Sequence, residues 1–96
     1  MITQFQREKI IRLLRPIGPR KIGVFGSFSR GDNNQNSDLD ILIYLDKENK
    51  ISLLDLIGIE QELSEALGMN VDLVTERSLN PLVRPYIEND LKIIFE

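Results

Sequence analysis

Apolar residues change their spacing several times along this chain, and each change marks an element. Phe5, Ile10, Ile11, Leu14 and Ile17 fall close to helical spacing, with Thr3 placed to cap them. A first helix is expected to about Arg15, stopped by Pro16, Gly18 and Pro19. Residues 21–25, KIGVF, form a short apolar run that predicts a strand. Residues 31–37, GDNNQNS, contain no apolar side chain and predict a polar loop. Residues 39–45, LDILIYL, predict a second strand. Both of its faces are apolar after Asp40, which suggests a central place in a sheet. A charged turn, DKENK, follows. Ser52 then caps a helix over 53–67, with Leu56, Ile59, Leu63, Ala66 and Leu67 as its buried stripe and Gly68 as its stop. Residues 70–75, NVDLVT, predict a third strand. Asn80-Pro81 opens a last helix, with Pro85 near its first turn. Leu79, Leu82, Val83 and Tyr86 are expected to pack that helix onto the sheet, with a partner-docking patch as the alternative. Residues 91–95, LKIIF, predict a final strand.

Strands separated by helices imply an α+β (mixed α/β) fold, with about four strands in one mixed sheet covered by helices. Patterning alone leaves their order and direction open. A chain of 96 residues is expected to form one domain, 1–96. No apolar run approaches the roughly 20 residues of a spanning helix, and the N-terminus lacks a signal-peptide layout. A cytoplasmic protein without a membrane partner is expected.

Composition narrows the chemistry. The chain has neither cysteine nor histidine. Disulfides, thiolate metal sites and imidazole bases are therefore excluded. The net charge of −3 comes without a basic stripe, so direct nucleic-acid binding is not expected. Arg77 and Arg84 read as solvated surface charge.

The candidate chemistry lies in GSFSRGDNNQNSDLDILIYL, residues 26–45. Asp38 and Asp40 are two residues apart, so on a strand they share a face, roughly 7 Å from each other. Two ionised carboxylates at that distance repel by about 2 kcal/mol at an effective dielectric near 20. A hard cation with oxygen ligands, magnesium or manganese, relieves that repulsion. On spacing alone, a wet strand mouth explains the pair as well. Asp72 interrupts the apolar run of Val71, Leu73 and Val74, where a carboxylate is costly unless paired or metal-bound. An exposed aspartate on an edge strand is the plain alternative. Gly26 and Ser27 follow the first strand, where glycine admits close approach and turn amides can hold phosphate oxygens. An ordinary tight turn accounts for the same dipeptide.

In combination, G-S-F-S-R-G, a polar loop and S-D-L-D-I-L-I resemble the signature of the DNA polymerase beta-like nucleotidyltransferase superfamily. The match is nearest to its minimal nucleotidyltransferase (MNT) group, through Gly26, Ser27, Arg30, Gly31, Ser37, Asp38 and Asp40. Ser29 departs from the alanine usual in that pattern, and Asp72 fits the group's third carboxylate. The resemblance extends from the first helix to the final strand.

It implies a nucleotidyltransferase fold and transfer of AMP from ATP. Gly26 and Ser27 would grip the triphosphate, with Ser37 beside them. Arg30 would bind phosphate or form a structural pair beneath the loop. Asp38, Asp40 and Asp72 would hold two magnesium ions, with manganese as an alternative, and Asp72 would help deprotonate the attacking hydroxyl. The resemblance also implies a HEPN-domain helical partner, a hetero-oligomer with it, and the antitoxin role in a type VII toxin–antitoxin pair, with AMP attached to a partner tyrosine. A non-catalytic binding antitoxin or regulatory subunit, and a small-molecule nucleotidyltransferase, are the alternatives.

Overall fold

The computed structural model describes residues 2–96. In chain order these form α1 (Gln4–Leu14), β1 (Lys21–Phe25), α2 (Ser27–Arg30), β2 (Leu39–Tyr44), α3 (Leu53–Leu67), β3 (Val71–Thr75), α4 (Arg84–Asp90) and β4 (Lys92–Phe95). One 3₁₀ turn, Arg15–Ile17, follows α1 and another, Glu76–Ser78, follows β3. The strands make one sheet in the order β3-β2-β1-β4. β1 runs antiparallel to β2 and β4, whereas β2 and β3 are parallel. A parallel pair needs a long crossover, and α3 supplies it.

Local chemistry starts and stops the two long helices as expected. Thr3 and Gln6 form a reciprocal capping box on α1, and Ser52 and Asp55 form one on α3. Gly68 ends α3 in the left-handed conformation, φ 66°. From one side of the sheet α1 and α3 bury Ile10, Leu14 and Leu63 against Ile22, Val24, Leu39, Ile41, Ile43 and Val71. Side chains alternate along a strand, so Asp40, Leu42, Asp72 and Val74 belong to the opposite face. Leu42 is fully buried there. β2 is thus covered on both sides and lies between β1 and β3, as its apolar run predicts.

Several expectations are corrected. α2 has no counterpart in the hydrophobic pattern, because four residues are too few to show a period. The last helix begins at Arg84, not at Asn80-Pro81. Asn80 Oδ1 accepts the Leu82 N–H at 2.8 Å, which holds a turn where the helix was expected. That turn leaves Leu82 80% and Tyr86 76% exposed, so they do not pack α4 onto the sheet. Ala66 is exposed, and Leu63 is the buried centre of the α3 stripe. Arg77 is exposed and Arg84 partly so, as expected of surface charge, and each also has partners: Arg77 donates to the carbonyls of Asp46 and Asn49, and Arg84 pairs with Glu76 and Glu88. β2 ends one residue early, while β3 and β4 each begin one residue late. No helix among the described residues is long and apolar enough to cross a membrane.

Candidate active site

The strand directions bring the three sequence signals to one end of the sheet. The C-terminal end of β1 lies beside the N-terminal ends of β2 and β3. In register, Phe25 pairs with Asp40, and Asp40 pairs with Asp72. Asp40 and Asp72 therefore occupy neighbouring places on the same face, with strands about 5 Å apart. Asp38 precedes β2 by one residue and is exposed.

The electrostatics of this acidic row agree with its geometry. Burial is the main influence raising the Asp40 carboxyl, followed by the charges of Asp72 and then Asp38, to about 6. Arg30 opposes the rise. Asp72 is raised too, first by desolvation, then by Glu60 and Asp38. Carboxylates about 5–7 Å apart repel by roughly 2–3 kcal/mol per pair at an effective dielectric of 20. A divalent cation would reverse the sign of that interaction.

The donor set suits such a cation. Among the described residues, no three or more histidine, cysteine, aspartate or glutamate side chains converge into a preassembled cage. Magnesium usually takes one or two carboxylates and fills its remaining positions with water and substrate phosphate oxygens. Register-paired aspartates at an open strand end fit that requirement.

Gly26 connects the acidic row to the turn. Its backbone, φ 74° and ψ −152°, lies in a region almost restricted to glycine. A Cβ at this position would also collide with Oδ2 of Asp40. Glycine is therefore required both by the turn and by the approach of the carboxylate. α2 starts at the next residue, and the Ser29 and Arg30 N–H groups both donate to the Gly26 carbonyl at 3.1 Å. The amides of Ser27 and Phe28 precede those bonds and have no acceptor within the helix, a general property of helix starts. The buried Phe28 ring anchors the turn in the core.

Arg30 and Ser37 have local partners. The Arg30 guanidinium pairs with Asp90 at 2.7 Å and with Asp32 at 3.1 Å. Ser29 Oγ donates to the Asp90 carbonyl, so two bonds tie α2 to the end of α4. Of the two roles expected for Arg30, the structural pair is the one these contacts make. Ser37 Oγ accepts the Asn34 N–H at 2.9 Å and closes the polar loop. Asp90 and Glu60 are missed by the sequence reading. Asp90 meets Arg30 across 60 residues, whereas Glu60 borders the apolar stripe of α3, four residues after Leu56 and three before Leu63, which is the one signal that could have marked it.

The sequence pattern of the Nucleotidyltransferase domain family matches residues 7–94. The chain is 43% identical over 84 residues to the protein adenylyltransferase MntA of Thermococcus cleftensis, covering 82% of this chain and 83% of that one. It is similar to a chain in a crystal structure of a toxin–antitoxin with AMP-PNP, with a TM-score of 0.81 and 32% identity. That likeness covers 93% of this chain and 72% of the other. A structure of tri-AMPylated Shewanella oneidensis HEPN toxin in complex with MNT antitoxin is also similar, with a TM-score of 0.77 and 28% identity over 98% of this chain and 72% of that one.

Proposed function

Because this chain belongs to the nucleotidyltransferase domain family, we propose that it transfers AMP from ATP to a tyrosine hydroxyl of a HEPN-domain partner and thereby acts as an antitoxin. The observation that carries this reading is the in-register pairing of Asp40 with Asp72 beside a turn that only glycine can make. The similarity to MntA and to toxin–antitoxin complexes supports the choice of acceptor. Residues 1–96 are proposed to act as a single domain.

The chemistry is an in-line displacement. The amides of Ser27 and Phe28, with the Ser27 hydroxyl, donate to phosphate oxygens of ATP. Asp38, Asp40 and Asp72 would hold the magnesium ions. When bound, magnesium neutralises charge on the phosphates and on the attacking and leaving oxygens. Asp72 accepts the proton of the acceptor hydroxyl. The hydroxyl oxygen forms a bond to the α-phosphorus. The bond from that phosphorus to the bridging oxygen breaks, and pyrophosphate leaves with the electron pair.

The test combines the chain, its HEPN partner, magnesium and ATP labelled at the α-phosphate. Label is expected on the partner, and it should be lost in the Asp38→Ala, Asp40→Ala double variant. Silencing of the partner without label, equally by wild type and double variant, would establish a binding antitoxin instead. Label on a metabolite and not on protein would establish a small-molecule nucleotidyltransferase.

A further inference from the structure

β3 is the outer strand of the sheet, so half of its backbone groups have no neighbouring strand. The parallel register with β2 decides which half. The Leu39 N–H donates to the Asn70 carbonyl at 2.9 Å, and Leu39 is the register partner of Val71. Backbone groups of residues 70, 72 and 74 therefore face β2, while the amides of Val71, Leu73 and Thr75 face outward.

The first two, those of Val71 and Leu73, are taken by side chains of α3. Ser64 Oγ accepts the Val71 N–H at 3.1 Å, and Glu60 Oε2 accepts the Leu73 N–H at 2.8 Å. Glu60 and Ser64 are four residues apart, so they lie one helical turn apart on one side of α3. The two amides they hold flank Asp72. Asp72 itself is exposed. Its position depends on the strand carrying it. The contact with Glu60 also places a negative charge near the Asp72 carboxyl.

We propose that Glu60 and Ser64 are positioning residues for nucleotidyl transfer, a clamp from α3 that grips the two amides around Asp72 and keeps its carboxylate in register with Asp40. The proposal rests on the transfer reading above. Neither residue touches ATP or the acceptor; both act through the β3 backbone.

The test uses the full chain with magnesium, ATP and the HEPN partner, together with amide hydrogen exchange on the free chain. Glu60→Ala is expected to lower kcat about tenfold and leave the KM for ATP within about twofold. Glu60→Gln retains an acceptor oxygen and is expected to keep kcat within about twofold of wild type. Ser64→Ala gives the same pattern as Glu60→Ala with a smaller loss. Exchange should accelerate at Leu73 in Glu60→Ala and at Val71 in Ser64→Ala, while Ile41 and Ile43 stay protected because the core is intact. Wild-type kcat in Glu60→Ala, or a loss in Glu60→Gln equal to that in Glu60→Ala, overturns the proposal. Unchanged exchange at Leu73 in Glu60→Ala overturns it independently of any turnover. A wild-type chain that labels no acceptor refutes the transfer reading, and the exchange result then decides whether the clamp exists.

Discussion

Gly26 and Asp40 illustrate how one residue constrains another at this site. Gly26 adopts φ 74°, and a Cβ there would strike Asp40. Gly26→Ala is expected to destabilise the protein by about 1–3 kcal/mol from backbone strain alone. It should also weaken magnesium–ATP binding more than tenfold, which calorimetry would read. Asp40 gives a prediction of the opposite sign. Its carboxyl titrates at about 6 in the folded protein, against an ordinary 3.8. The folded state therefore holds that proton more tightly than the unfolded state. Its contribution to stability is fully present below 3.8 and is lost as pH rises through about 6. Without metal, Asp40→Asn should be more stable than wild type above pH 6, by about 1–2 kcal/mol after allowing for solvent screening. The difference should vanish below about pH 4, as thermal unfolding across that range would show. A variant that loses activity while gaining stability identifies a residue retained for chemistry. The sequence made Asp40 conspicuous because it opens an apolar strand two residues after Asp38. It could not reveal that Gly26 and Asp40 are in contact, because that contact exists only once β1 and β2 are paired.

Elements are joined by side-chain ties that periodicity does not encode. Both long helices are legible from their caps and apolar spacing, and their observed ends follow the capping boxes. β2 is legible because it is apolar on both faces. α2 is not, since its four residues owe their helical shape to the Gly26 turn and to anchorage by Phe28 and Ser29. Its tie to α4 runs from Arg30 and Ser29 to Asp90. Asp90→Ala should loosen α2 and raise the KM for ATP several-fold, with little change in kcat. Arg30→Ala combined with Asp90→Ala should be no worse than the more severe single variant, because both remove the same tie. Additive losses would instead show that Arg30 has a separate role, such as phosphate binding. The α3 clamp on β3 belongs to the same class of feature. It also blocks the outer strand from pairing with another chain, a common hazard of exposed edges.

On the scale of the whole molecule, topology turns three weak sequence signals into one site. A D-x-D pair, a lone aspartate in a strand and a Gly-Ser turn each have an ordinary explanation. The antiparallel β1–β2 pair and the parallel β2–β3 pair bring all three to one end of a sheet, and neither direction was legible from patterning. The family resemblance joined the D-x-D pair and the Gly-Ser turn before the strands were placed, because its motif spans both sides of the β1–β2 connection. The arrangement predicts that ATP binding depends on magnesium, on the acidic row and on the glycine turn together. Calorimetry of the free chain with ATP, with and without magnesium, tests this most directly, alongside Asp38→Ala/Asp40→Ala and Gly26→Ala. Wild type should bind only when magnesium is present, and both variants should lose binding. ATP binding of equal strength in wild type, in both variants and without magnesium would contradict that dependence.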